Sequence, residues 1–339
     1  ALTAGAYAEA RRHFTAELAL IEREVGPDDI RVARPLRALG SVCLQEFQGA
    51  EALPLFERAL ALERRVYSDD HPEVAGALEA LGGAQYTLAR YADAEANYLR
   101  AQRVYERAFG PNDIHVANVL KNLANVYAWQ GKPEDGIALL RRAIAIDDKA
   151  LGPDHPTTLT HLRSLAVTLE AASQYPEATA ILTRVRTSLR AQFGGDHPAL
   201  ADATELLAIV KLAEGKPAEA RDLAQASIAM YQRTLGDRYR PLPELRTLGG
   251  AQLALGEPAR AADALTIAHA SLTQDDDPGE RAWVENLLGR ALVESGRDVT
   301  RGRALVYAAW RHIRADDRMD DQRAPLATWM RAHHMPPDP

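Results

Sequence analysis

The sequence predicts an all-α protein built as an array of repeated helix pairs, and three observations carry that prediction. Gly26, Ser68, Gly110, Gly152, Gly194 and Gly236 each stand 42 residues after the last, and the clearest copy of the punctuation they mark reads Gly152-Pro153-Asp154-His155-Pro156. The chain has 339 residues, more than one hydrophobic core usually supports, and the repeat resolves that excess into an elongated series of small units. Apolar residues make up 47% of the chain but aromatic ones only 6%, so Ala and Leu supply most of the apolar surface, as closely approaching helices require.

The unit from Gly110 to Leu151 shows how each element arises. Between Ile114 and Trp129, the residues Val116, Leu120, Leu123 and Tyr127 fall on one helical face, which defines the first helix of the pair, helix A. Gln130-Gly131-Lys132-Pro133 interrupts the period, and Pro133 suits the first turn of the next helix, where its missing N–H costs nothing. Helix B is expected from about Glu134 to Lys149, with Ile137, Leu140 and Ile144 and the small Gly136 and Ala143 facing its partner. Gly152 ends it with a residue tolerant of positive φ, and Pro156 opens the next helix A.

The other copies fit this frame. In helix B, Ala10, Ala52, Ala94, Gly136, Ala178 and Ala220 keep the 42-residue step, as do Phe14, Phe56, Tyr98, Leu140 and Leu182. In helix A, Leu39, Leu81, Leu123, Leu165 and Leu207 are each followed by a small residue: Gly40, Gly82, Ala124, Ala166 and Ala208. One large side chain fills a gap while its small neighbour lets the helices touch. Leu248-Gly249 arrives one residue early, which shortens the helix before Gly256, and Lys211 stands where other copies have Tyr127 and Leu169. Local loosening over 211 to 256 is expected from both. Residues 1–25 read as helix B of an incomplete first repeat, whose Phe14, Leu18 and Ile21 lack one neighbour and offer a face for self-association. Six 42-residue repeats then occupy 26–274, and 275–339 reads as a degenerate repeat and a C-terminal capping helix. Within that last part, helices are expected over Trp283–Glu294, Arg301–Arg314 and Ala324–His333, with Trp283, Trp310 and Trp329 packing as a cap.

The pattern of a large residue, Leu, then Gly or Ala in helix A, with Ala52, Phe56 and Ala59 in helix B, resembles the tetratricopeptide repeat. The 42-residue step and the Gly-Pro-Asp-His-Pro connector are similar to the kinesin light chain variety, over roughly residues 6 to 296. This resemblance implies a right-handed superhelical solenoid of antiparallel helix pairs whose A helices line a concave wall. It also implies a ligand, because kinesin light chains use that wall for short acidic peptides carrying an aromatic residue. A second resemblance, in composition and layout rather than in a motif, links the C-terminal part to the repeat regions of bacterial multidomain serine/threonine kinases, notably myxobacterial ones. Positive charge is almost all Arg, with Lys only at 121, 132, 149, 211 and 216, which resembles the coding bias of a GC-rich bacterium.

Several function classes are disfavoured. The formal charge of −7 comes with no basic arm, so nucleic-acid binding is not expected. No apolar run approaches the ~20 residues that span a bilayer, and a cytoplasmic protein without membrane insertion is expected. Cys43 is single and sits at a repeat position filled by Tyr127 and Leu169, so it reads as core. The sequence shows no phosphate loop, dinucleotide turn, His-Glu-x-x-His helix or paired Cys, and neither catalysis nor a cofactor is expected. His71, His155 and His197 share one loop position, but stacked repeats separate equivalent loops by ~10 Å. They read as helix caps rather than metal ligands. Asp275 to Asp277, Asp316-Asp317 and Asp320-Asp321 read as solvated loops.

What remains is a surface. On the helix starting at Ile114, Asn118, Asn122, Asn125 and Trp129 form one stripe opposite the apolar one, with Lys121 beside it. Asn is a poor helix former, so propensity did not select three of them. The preceding repeats present Arg34, Ala38, Ser41 and Gln45 with Arg37, then Gly76, Ala80, Gly83 and Thr87 with Glu79; the following ones present Thr160, Ser164 and Val167 with Arg163, then Asp202, Leu206 and Ile209 with Glu205. The bare second stripe reads as room for a bulky ligand side chain. Cationic and amide groups thus centre on Arg34, Arg37, Lys121 and Arg163, and the candidate peptide groove is lined by these with Asn118, Asn122, Asn125 and Trp129. The expected function is a protein–protein interaction scaffold holding an extended, acidic and aromatic-bearing peptide. The alternative is a regulatory or sensory segment of a larger signalling chain, a bacterial serine/threonine kinase or a nucleotide-dependent switch ATPase.

Overall fold

A computed structural model of the chain describes residues 4–46, 48–236, 239–273, 276–316 and 319–336, and the regular elements among them are all helices. They form two compact units, Ala1–Ala172 and Ser173–Pro339. The first holds α1 (Ala4–Val25), a 3₁₀ turn (Ile30–Val32), α2 (Ala33–Gln45), α3 (Gly49–Val66), α4 (Pro72–Thr87), α5 (Tyr91–Phe109), α6 (Ile114–Trp129), α7 (Pro133–Ala150) and α8 (Pro156–Ala171). The second holds α9 (Tyr175–Phe193), α10 (Pro198–Ala213), α11 (Pro217–Leu235), α12 (Leu242–Ala254), α13 (Pro258–Ala270), α14 (Pro278–Ser295), α15 (Val299–Ile313) and α16 (Asp320–Ala332). Helix pairs α2/α3, α4/α5 and α6/α7 pack tightly, and so do α10/α11, α12/α13 and α14/α15.

The connector is a stop followed by a cap. Gly110 and Gly152 take φ of +94° and +97°, a conformation that a side chain would strain, and so end α5 and α7. Three residues beyond each glycine position lies an N-cap: Asp113 Oδ1 accepts from the His115 N–H at 2.9 Å, and His155 Nδ1 accepts from the Thr157 N–H at 3.2 Å. His71 and His197 do the same for Glu73 and Ala199, at 3.2 and 3.1 Å. The repeated histidines are therefore helix caps, each satisfying an otherwise orphan amide. Pro72, Pro156 and Pro198 follow at the first helical position.

The large-and-small rule is visible as contact. A Cβ added at Gly40 would lie 2.7 Å from the Phe56 ring, and one at Gly82 would lie 2.8 Å from Tyr98. These glycines are where α2 meets α3 and α4 meets α5. Phe56 is fully buried there, and so are Leu120 and Leu123 of α6 and Leu140 of α7.

Several boundaries differ from the expectation. Helix α14 starts at Pro278, five residues before Trp283, because Asp277 accepts from the N–H groups of Gly279 and Glu280 and so fixes an earlier start. Helix α16 starts at Asp320 and carries Pro325 within it, rather than starting at Ala324. The early Leu248-Gly249 does shorten its helix: α12 has 13 residues where α10 has 16. Lys211 is buried, and its ammonium lies 2.8 Å from the Glu214 carboxylate, so the polar substitution at a core position is compensated. Trp310 and Trp329 flank a cluster of Val306, Ile313, Leu326 and Met330, but Trp283 stays 36% exposed beneath the Arg246 guanidinium, 4.3 Å from its ring. At the N-terminus, Leu18 and Ile21 of α1 pack on Val32, Ala33 and Leu36. Asp275 and Asp317 lie outside the described residues; Asp276 accepts from Arg240 and Thr273.

Candidate functional site

Within the first unit the A helices α2, α4, α6 and α8 touch one another in succession and form one wall. The residue two before the repeated Leu is Arg37, Glu79, Lys121 and Arg163 in turn, so a row of charged side chains crosses that wall. Its centre is a connected set. Lys121 Nζ donates to Asn122 Oδ1 at 2.6 Å, and Asn122 Nδ2 donates to Glu79 Oε1 of the preceding A helix at 3.1 Å. The Tyr105 hydroxyl, from α5, reaches Glu79 Oε2 at 3.5 Å. Burial pushes the Glu79 carboxyl up, opposed by Lys121 and His115. It pushes the Lys121 ammonium down, opposed by Glu79. Each group is the other's counter-charge, although among the described residues no carboxylate comes within 4.0 Å of the ammonium.

The predicted site residues separate into three groups. Lys121 and Asn122 are joined, as above. Asn118 and Asn125 are half-buried, and among the described residues neither has a hydrogen-bond partner. Trp129, 52% exposed, is held in place: its indole N–H donates to the Tyr86 hydroxyl at 2.6 Å, and its ring lies parallel to Tyr91 with centroids 6.4 Å apart. Arg37 is already engaged, 2.9 Å from Glu73 and 3.4 Å from the buried Glu63, whose carboxyl is nevertheless raised to about 7 by burial. Arg34 is exposed on α2, and Arg163 is half-buried on α8.

Two expectations are corrected here. The bare stripe of α4 is not an open socket, because a Cβ at Gly76 would lie 3.0 Å from Arg37 Nη1, and one at Gly83 would lie 3.2 Å from Leu44 Cδ1. Neighbouring side chains from α2 already use that space. The Arg37 end of the wall is also less cationic than the sequence suggested, since Glu73 lies 2.9 Å from the Arg37 guanidinium.

Beneath the wall lies a pair that the surface stripe did not include. His161 Nδ1 of α8 and Asp147 Oδ2 of α7 are 2.5 Å apart and fully enclosed. Burial disfavours charge on both, pushing His161 down and Asp147 up, and Lys121 depresses His161 further. The signal was available in the repeat: His161 stands where other A helices have Ala77, Val119 and Ala203. In the second unit the Asn122–Glu79 contact has a counterpart, Thr247 Oγ1 donating to Glu205 Oε1 at 2.6 Å between neighbouring A helices. Burial raises the Glu205 carboxyl to about 7, with Glu244 adding to the rise.

Stacked helix pairs with a polar row across their A helices define a helical-repeat solenoid. The model of the tetratricopeptide repeat matches residues 44–107, 115–191 and 174–233, together more than half of the chain, and the chain belongs to that family. Solved structures agree in fold. A kinesin light chain repeat protein of Podosopora anserina is 23% identical with a TM-score of 0.52, the match covering 61% of this chain and 97% of that one. Aspartyl phosphate phosphatase F from Bacillus subtilis is 15% identical with a TM-score of 0.62, covering 89% and 75%. NprR in complex with its cognate peptide NprX is 10% identical with a TM-score of 0.62, covering 89% and 84%. A comparison with curated proteins returned no match. At these identities the likeness is one of fold. Among the described residues no helix is long and apolar enough to cross a membrane.

Proposed function

We propose that the chain is a protein–protein interaction scaffold and that the wall of its first unit captures an extended acidic peptide carrying an aromatic residue. The observation that carries this reading is Lys121: a half-buried ammonium whose direct bond is to a carboxamide oxygen, flanked by the unused amides of Asn118 and Asn125. A peptide carboxylate supplies the charge that Lys121 lacks at contact distance, the Asn side chains take the peptide backbone, and Trp129 offers a pre-set ring face. Charge-assisted hydrogen bonds contribute roughly 1.5–3 kcal/mol each, so two or three of them with one aromatic contact reach micromolar affinity. The peptide named in the NprR structure, on a related fold, is consistent with such a role. The chain itself is read as a binding module and not as an enzyme.

Panning a library of acidic, aromatic-bearing peptides on the purified chain tests this. Binders that compete with one another and lose affinity on Lys121→Met support it. Binders that ignore Lys121→Met, or none at all, count against it.

A further inference from the structure

The polar centre of the wall already faces a carboxylate of its own. We propose that Glu79 is a built-in competitor for the acidic partner, holding the Asn122 amide until a peptide carboxylate displaces it. This rests on the reading of the wall given above and assigns a specificity role to a residue outside the cationic set.

The geometry separates two halves of one receptor. Glu79 Oε1 takes the Asn122 N–H at 3.1 Å, while Asn122 Oδ1 faces Lys121 Nζ at 2.6 Å. Asn122 thus stands between the two charges, and Glu79 stays outside the 4.0 Å ion-pair range of Lys121. An incoming carboxylate that bonds Asn122 and Lys121 together gains both donors but meets Glu79 at short range in a half-buried setting. Two carboxylates in such a place repel, so binding requires Glu79 to turn away or take up a proton. Its remaining partner, Tyr105 at 3.5 Å, is a long contact that holds it weakly. Burial already lifts the Glu79 carboxyl, in keeping with a group that yields its charge readily. A ligand with one isolated acid does not outcompete Glu79, whereas one with several clustered acids does. The device is a threshold against weakly acidic chains.

The test uses the full chain and a fluorescein-labelled peptide in which one Trp is flanked on both sides by Asp and Glu, read by fluorescence anisotropy. Glu79→Gln, which keeps the shape and removes the charge, is expected to tighten binding about 3- to 10-fold, the scale of one ordinary net hydrogen bond, because the glutamine still accepts from Asn122. Glu79→Ala removes the acceptor as well and serves as the second variant, with the same direction expected. Adding Lys121→Met to Glu79→Gln should abolish the gain. Unchanged or weaker binding by both Glu79 variants, with Lys121→Met still weakening the wild type, overturns the competitor role and leaves the wall as the site. Failure of wild type and both Glu79 variants alike to bind the probe overturns this proposal together with the reading of the wall.

Discussion

Asn122 on α6 and Glu79 on α4 are 43 positions apart in sequence and joined by a 3.1 Å hydrogen bond between their side chains. The bond ties one repeat to the next on the face where the A helices line up, so the residues proposed to recognise a partner also hold the wall together. This changes which variants are informative. Lys121→Glu is a poor probe of binding, because it sets a second carboxylate beside Glu79 in a half-buried site and disturbs the fold. Lys121→Met keeps the stem and removes only the charge.

Gly82→Ala should destabilise the chain by about 1–3 kcal/mol, because the added Cβ falls 2.8 Å from the Tyr98 ring. Changing the partner as well, Gly82→Ala with Tyr98→Leu, should restore much of the loss. That pair recreates Ala124 and Leu140 one repeat later, both fully buried. Urea unfolding of the two variants checks this, and a double variant no better than the single one would mean that the seams are not interchangeable.

Leu123→Ala should cost about 2–5 kcal/mol, the usual range for a cavity left by a buried Leu. The equivalent Leu39→Ala should cost less, since Leu39 is only half-buried while Leu123 is 1% exposed. Denaturant midpoints of the two variants rank them directly.

Glu205 makes stability depend on pH. Its folded-state value of about 7 lies above the ordinary carboxylate range, so the folded chain holds a proton that the unfolded chain has released. The contribution is complete below about pH 4 and is lost as the pH rises through 7, on the order of 1–3 kcal/mol. Glu205→Gln keeps an acceptor for Thr247 and removes the ionisation. Thermal unfolding should show the variant gaining on the wild type as the pH rises from 5 to 8, with most of the gain reached by about pH 8. A constant difference across that range would remove Glu205 from the account.

Much of this architecture was legible because the repeat states it several times. The 42-residue step located the connectors, the Gly at Gly110 and Gly152 stopped helices, and the residues at 71, 113, 155 and 197 capped the next ones. Helix α6 begins and ends where the apolar period and the Gly-Lys-Pro interruption put it. Local chemistry decides such features, and each copy votes on it. The wall was only half legible. Asn118, Asn122, Asn125 and Trp129 share a face by helical spacing, but what lies across from them depends on the reach of side chains from the next helix pair. Hence Arg37 fills the space over Gly76, Tyr86 takes the Trp129 indole proton, and Glu79 takes the Asn122 amide. Aligning the copies does flag these places, since Glu79 is the one acid in a row with Arg37, Lys121 and Arg163, and a lone acid among cations at one repeat position marks cross-repeat pairing.

The most direct measurement of the central claim is the site of photo-crosslinking from an acidic, Trp-bearing peptide that carries a benzophenone, mapped by mass spectrometry on the intact chain. Crosslinks concentrated on α4 from Gly76 to Thr87 and on α6 from Ile114 to Trp129 are expected, and they should fade when unlabelled peptide is added. Crosslinks confined to α3, α5 and α7, or to the second unit, would contradict the assignment of the wall as the binding surface.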